Sequence, residues 1–157
     1  MPSAPDRVRQ ALEAAGVSVE IVEFPQGTRT AQDAARAIGT TLGQIVKSLV
    51  FVADGRPVLV LASGKNRVDP TKLARALGAV HVQRADADYV RAATGFAIGG
   101  VPPAGHATPM ETLIDEDLLR YEVVYAAAGT PTAIFAIAPQ DLVRVTRGRS
   151  ADLAQPQ

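Results

Sequence analysis

Two apolar runs separated by a tight-turn dipeptide constrain this chain most. Ile45 to Ala53 and Pro57 to Ala62 are rich in Val, Leu and Ile, and Asp54-Gly55 between them favours the positive-φ positions of a two-residue hairpin turn. They predict an antiparallel pair of strands, with one cation, Lys47, on or just before the first strand in otherwise apolar surroundings.

The flanking segments alternate between helical and extended periodicity. Val8, Leu12 and Ala15 recur at helical spacing within Asp6 to Ala15, with Gly16 placed to end the helix. Val17 to Phe24 alternates as a strand should, and stops at Pro25 and Gly27. Thr30 is a plausible N-cap, with Asp33 in a capping-box position, for a short helix ending at Gly39. A helical turn is expected at Leu42 to Gln44. Asp69-Pro70 opens a helix to Leu77 that Gly78 ends.

Beyond it the pattern gives a strand at Ala79 to Val82 and a helix at Asp86 to Ala93, then an irregular segment from Gly95 to Pro109. A strand at Thr112 to Asp115, a helical turn near Leu118, strands at Glu122 to Ala127 and Thr132 to Ala138, and a helix from Pro139 complete the order. The tail after Arg147 reads as frayed. Interleaved helices and strands with hairpins imply a mixed α/β (α+β) arrangement: a barrel-like sheet surrounded by helices, not a doubly wound parallel sheet.

At 157 residues and 47% hydrophobic content, the whole chain, 1–157, suits one core and a single domain. Sixteen basic residues balance sixteen acidic ones, so a nucleic-acid role would need a local patch. Cysteine is absent, which excludes disulfides, thiolate nucleophiles and Cys-ligated zinc. His81 and His106 are the two histidines, in no metal-binding spacing, so neither metal nor cofactor is expected. Met1 to Gln10 has no apolar signal-like stretch, and no later run approaches the roughly 20 residues that span a bilayer. A cytoplasmic location without membrane association is expected.

The segment Gly99-Gly100-Val101-Pro102-Pro103-Ala104-Gly105-His106 combines residues with unusual backbone demands. It is either a rigid structural turn or a loop that holds N–H donors still for a ligand, as a developing oxyanion requires. Lys47 is either a strand-edge cation or a group that binds phosphate or polarises a carbonyl. His106 either caps backbone groups or faces a pocket. Thr30 is first an N-cap and secondarily a ligand contact. Lys65, Arg67, Lys72 and Arg75 read as a solvated helix face or a phosphate track, and Asp115, Glu116 and Asp117 as a solvated acidic turn.

In order along the chain, Phe24-Pro25, TAQDAARAIG at Thr30 to Gly39, IVKSLVF around Lys47, GGVPPAGH at Gly99 to His106, and Ala128-Gly129-Thr130-Pro131 resemble the YbaK/EbsC family. These are free-standing aminoacyl-tRNA deacylases related to the editing domain inserted in bacterial prolyl-tRNA synthetases. The resemblance covers about residues 20 to 147. It implies the YbaK/aminoacyl-tRNA synthetase-associated fold and metal-free hydrolysis of a mischarged tRNA ester at the 3′ aminoacyl-adenosine end. An aminoacyl-tRNA synthetase is a candidate second partner, and the protein would act as a monomer or a homodimer.

The resemblance also assigns roles, with Lys47 and Gly100 as the catalytic positions. Thr30, Ser48, Gly99 and Val101 would contact substrate, as would Pro103, Gly105 and His106 from the loop and Ala128 and Gly129 from the last motif. No protein nucleophile is implied: water, or a group of the substrate itself, attacks with help from positioning and oxyanion stabilisation. The cysteine-removing branch carries a Ser-containing Gly-Lys-Arg stretch where this chain has Ala126-Ala127-Ala128-Gly129-Thr130. That leaves the amino acid removed open. A non-catalytic module binding a nucleotide or aminoacyl 3′ end is the alternative function, and a regulatory domain with a vestigial cleft is a third.

Overall fold

The structure is a computed structural model that describes residues 2–24 and 30–156. The hairpin forms as its sequence predicts. β2 (Val46–Ala53) and β3 (Arg56–Ser63) pair antiparallel along their whole length, from Val46 opposite Ser63 to Ala53 opposite Arg56. Asp54 (φ 48°) and Gly55 (φ 85°) take the two left-handed positions of the turn.

Both faces of this hairpin are covered, which explains why its strands read as continuous apolar runs rather than alternating ones. On one face Val46, Val50, Leu59 and Leu61 join a core with Val8, Leu12, Val90, Phe135 and Leu142. On the other, Phe51, Val58 and Val60 pack with Leu73, Leu113 and Leu153.

The strands form two sheets. One has the order β4-β2-β3-β5-β8, where β4 is Val82–Arg84, β5 Glu111–Asp115 and β8 Arg149–Ala151. The other is β1-β7-β6, built from Ile21–Glu23, Ala133–Ile137 and Val124–Ala127. β3–β5 and β5–β8 are parallel and the remaining pairs antiparallel, so the pairing is mixed. A single parallel bridge, Ile45 to Tyr125, joins the sheets through β2 and β6. Among the described residues five helices surround them: α1 (Ala4–Ala14), α2 (Ala31–Ile38), α3 (Pro70–Leu77), α4 (Ala87–Thr94) and α5 (Pro139–Thr146). 3₁₀ turns lie at Leu42–Gln44 and Glu116–Arg120. Among the described residues no helix is long and apolar enough to cross a membrane.

The structure revises three readings. The strand expected over Val17 to Phe24 pairs only at Ile21–Glu23, because Val17 still donates its N–H to Leu12 and is buried against the helix end. The breakers assigned to it, Pro25 and Gly27, lie outside the described residues. The strand expected from Ala79 starts at Val82: the Asp54 carboxylate of the hairpin turn takes the N–H groups of Val80 and His81, the latter at 2.8 Å, holding that segment as a linker.

The third revision concerns the tail. Arg149–Ala151 is β8, Leu153 is 1% exposed, and Ala154 bridges Val68. Asp69 donates its N–H to the Leu153 carbonyl and Gln155 donates to that of Arg67, so the tail closes the α3 side of the core. Leu153→Ala should therefore cost about 2–5 kcal/mol, read as a shift in the denaturant midpoint. A loss within about 0.5 kcal/mol, the usual size for a surface substitution, would return the tail to the frayed state its composition suggests.

Candidate active site in the seam between the sheets

A cavity of about 230 Å³ opens where the two sheets part. Its walls come from β2 (Val46 to Val50), β6 (Tyr125 to Ala127), the start of α2 (Thr30, Ala31, Ala34) and the loop after α4 (Ile98, Gly99, Val101), with Arg84 and Pro131 at its margins. The opening follows from strand pairing. β3 covers one edge of β2 throughout, whereas β4 covers the other only at Phe51 to Ala53, followed by a bond from the Ala85 N–H to the Val50 carbonyl. Ahead of that point, β2 and β6 touch through the Ile45–Tyr125 bridge and the ladder goes no further.

Lys47 lies in the cavity wall, half-buried. Its ammonium donates to the backbone carbonyl of Asn66. Asn66 is itself fixed, its side-chain amide donating to Asp115 Oδ2 and Asp117 Oδ2, each at 2.8 Å. Asp115 is 1% exposed. It accepts further bonds from the Ser63 N–H at 3.0 Å and the Asp117 N–H at 3.0 Å, so its buried charge is held by several donors. Burial pushes Lys47 below the ordinary lysine value of 10.5, and Arg84 and Arg67 push the same way, while Asp115 opposes them. Where such a lysine is protonated, its charge is screened less by water than at the surface, which suits contact with developing negative charge.

The structure brings together Thr30, Lys47, Ser48, Gly99 and Val101 around one cavity. Thr30 also caps α2, its Oγ1 accepting from the Asp33 N–H at 3.0 Å. Ser48 Oγ is buried without a hydrogen-bond partner.

The other candidate positions lie elsewhere. Gly100 is buried beside the cavity rather than in its lining, and its N–H donates to the Ala97 carbonyl at 3.0 Å. In this structure that donor closes a turn on Ala97. A Cβ at Gly100 would sit 2.7 Å from the Thr130 Cα, which accounts for glycine there by packing. Ala128 is fully buried and bonds Ala133, and Gly129 (φ +96°) lies against Ala4, where a Cβ would approach to 2.9 Å. Pro103, Gly105 and His106 line a separate, more open depression with Met110, Thr146 and Arg147. His106 Nε2 is 2.6 Å from the Pro102 carbonyl, so the ring braces its own loop. Burial lowers its pKa below 6.5, partly offset by that bond.

Sequence reasoning did not single out Arg84, Ile98, Tyr125, Ala126 and Ala127 as lining, nor Asn66 and Asp115 as supports. The acidic turn, read as solvated, is a buried anchor at Asp115. Of the basic cluster, Lys72 pairs with Asp152 at 2.9 Å and Lys65 lies over the Tyr121 ring, so these two are engaged locally. Among the described residues no group of three or more His, Asp or Glu side chains is placed to hold a metal ion.

Comparison with known proteins connects this site to a family. The chain matches the aminoacyl-tRNA editing domain family over residues 25–145. A solved structure described as a candidate trans-editing enzyme for prolyl tRNA synthetase superposes with a TM-score of 0.94 and 48% identity, covering 99% of each chain. EbsC of Enterococcus faecalis, named as a candidate Cys-tRNA(Pro)/Cys-tRNA(Cys) deacylase, is 29% identical over 79% of this chain and 76% of its own. The proline–tRNA ligase of Citrifermentans bemidjiense is 35% identical over 64% of this chain and 17% of that enzyme. The β2–β6 seam and its lysine lie within the matched span, and the chain belongs to the aminoacyl-tRNA editing domain family.

Proposed function

We propose that this protein is a trans-editing deacylase that hydrolyses the ester of a mischarged tRNA, with the terminal aminoacyl-adenosine held in the β2–β6 seam. The reaction class follows from membership of the editing family, supported by its likeness to EbsC and to the solved trans-editing protein. The observation that carries the assignment of the site is Lys47, a half-buried ammonium in the wall of a largely apolar cavity. It would meet the ester carbonyl as charge develops on it, or the neighbouring phosphate.

In hydrolysis the oxygen of water, or a hydroxyl of the substrate followed by water, adds to the ester carbonyl. The acyl C–O bond breaks, and the amino acid leaves from a restored ribose hydroxyl. Among the described residues no side chain of the cavity wall is a conventional nucleophile with a base beside it, so positioning and electrostatic stabilisation carry the rate. Asn66 and Asp115 contribute by fixing where the Lys47 ammonium sits.

Lys47→Ala should slow single-turnover deacylation by roughly 100- to 1000-fold while leaving the melting temperature close to that of the parent, because the side chain lines an open cavity. Lys47→Arg keeps charge but not shape and should rescue only part of the rate. Unimpaired turnover in Lys47→Ala would remove the lysine from the mechanism, and a collapsed melting temperature would make its role structural.

The same reading makes the hydrolysis metal-independent. Turnover should be unchanged by EDTA. Loss of activity that zinc or manganese restores would contradict the proposed chemistry.

A further inference from the structure

Among the described residues, the main-chain edge of β2 inside the seam is flanked by strand partners only at its two ends. In an extended strand the N–H and C=O of one residue point to the same side, and successive residues alternate. Val50 directs its carbonyl to Ala85, away from β3, while Ile45 directs its carbonyl to Gly64, on the β3 side. By that alternation Ser48, like Val50, turns its N–H and C=O away from β3 and into the cavity.

Across the seam the parity of β6 gives a matching result. Ala128 bonds toward the β7 side and Tyr125 bridges Ile45, so Ala127 turns its main-chain groups toward β2. The β2–β6 ladder stops at Ile45–Tyr125, and β4 reaches only to Phe51. Ser48 therefore sits at a gap in an otherwise continuous run of strand pairing. Its side chain adds a second polar group at the same place, since among the described residues the buried Oγ has no hydrogen-bond partner.

We infer that the aminoacyl group of the substrate fills this gap as a one-residue strand, its α-ammonium donating to the Ser48 carbonyl and its ester carbonyl accepting from the Ser48 N–H. The inference rests on the proposed editing function and adds the atoms that read the amino acid's main chain. An aminoacyl ester carries the same donor and acceptor, in the same relative positions, as one residue of a peptide, so a strand edge is complementary to it whatever its side chain. The Ser48 N–H supplies a backbone donor to the ester oxygen that the Gly100 N–H, bonded to Ala97, does not. A residue paired in this way projects its side chain to the face that carries the Ser48 side chain, beside Val46 and Val50.

The test is backbone amide NMR of the intact protein titrated with 3′-deoxy-3′-(alanylamino)adenosine, whose amide resists hydrolysis. Adenosine 5′-monophosphate serves as the arm lacking the aminoacyl group. At saturation with the first compound the Ser48 amide should shift downfield and exchange with solvent roughly tenfold more slowly or less. With the nucleotide alone it should not change.

Three results would overturn the inference. If the alanylamino compound binds and shifts Val101 and Lys47 but leaves Ser48 unchanged, the strand-edge contact is wrong while the editing site stands. If the nucleotide alone protects Ser48, the edge reads the adenosine and not the amino acid. If the compound shifts no residue of the cavity at millimolar concentration, the editing site fails and the inference fails with it.

Discussion

Incomplete pairing of one strand edge is the constraint on which the site depends. β2 lies at the centre of the fold, with β3 along one edge and both faces buried. Its other edge is shared between β4 at one end and a single bridge to β6 at the other. A strand edge left open in a protein interior carries unsatisfied main-chain groups, which costs stability unless water or a ligand meets them. Here the edge borders the cavity, where the proposed substrate would relieve that cost. The two sheets approach a barrel at this point without continuing their ladder, and the lapse in pairing is what creates a space between them.

A second dependence runs through Asp115. A carboxylate buried to this degree requires several donors, and it receives them from Ser63, Asn66 and Asp117. Those donors connect the end of β3, the loop that follows it and the 3₁₀ turn after β5. The same loop presents the Asn66 carbonyl to Lys47. The catalytic candidate is therefore positioned by a polar network of Asn66, Asp115, Ser63 and Asp117. Replacing Asn66, whose amide donates to Asp115, would leave that buried carboxylate short of a donor, and fold and site would suffer together.

Much of this was legible locally. Asp54-Gly55 between two apolar runs defines the hairpin, and a lysine interrupting the first run marks the cavity wall. Thr30, Asp69 and Asp86 each precede a helix and accept backbone N–H bonds at its start. What the sequence obscured depends on distant partners. Asp115 lies in an acidic stretch and looks solvated until Ser63 and Asn66 are brought to it from about 50 positions away. The tail looks frayed because Leu153 is the one large apolar residue among its small, polar and charged ones, yet β5 offers it an edge and α3 a groove for Leu153. The Gly/Pro motif reads as a single site in sequence. In space its first half borders the cavity, while Pro103 stiffens the chain as it turns toward α1, where Gly105 packs against Ala11.

The central claim is that the seam catalyses hydrolysis of a misacylated tRNA. It is tested most directly by incubating the purified protein with a panel of tRNAs, each charged with a correct or an incorrect amino acid, and following loss of the ester at substoichiometric enzyme. The account predicts multiple turnovers on at least one mischarged tRNA and little acceleration on its correctly charged counterpart. Tight binding of the mischarged tRNA without turnover of any member of the panel would contradict it.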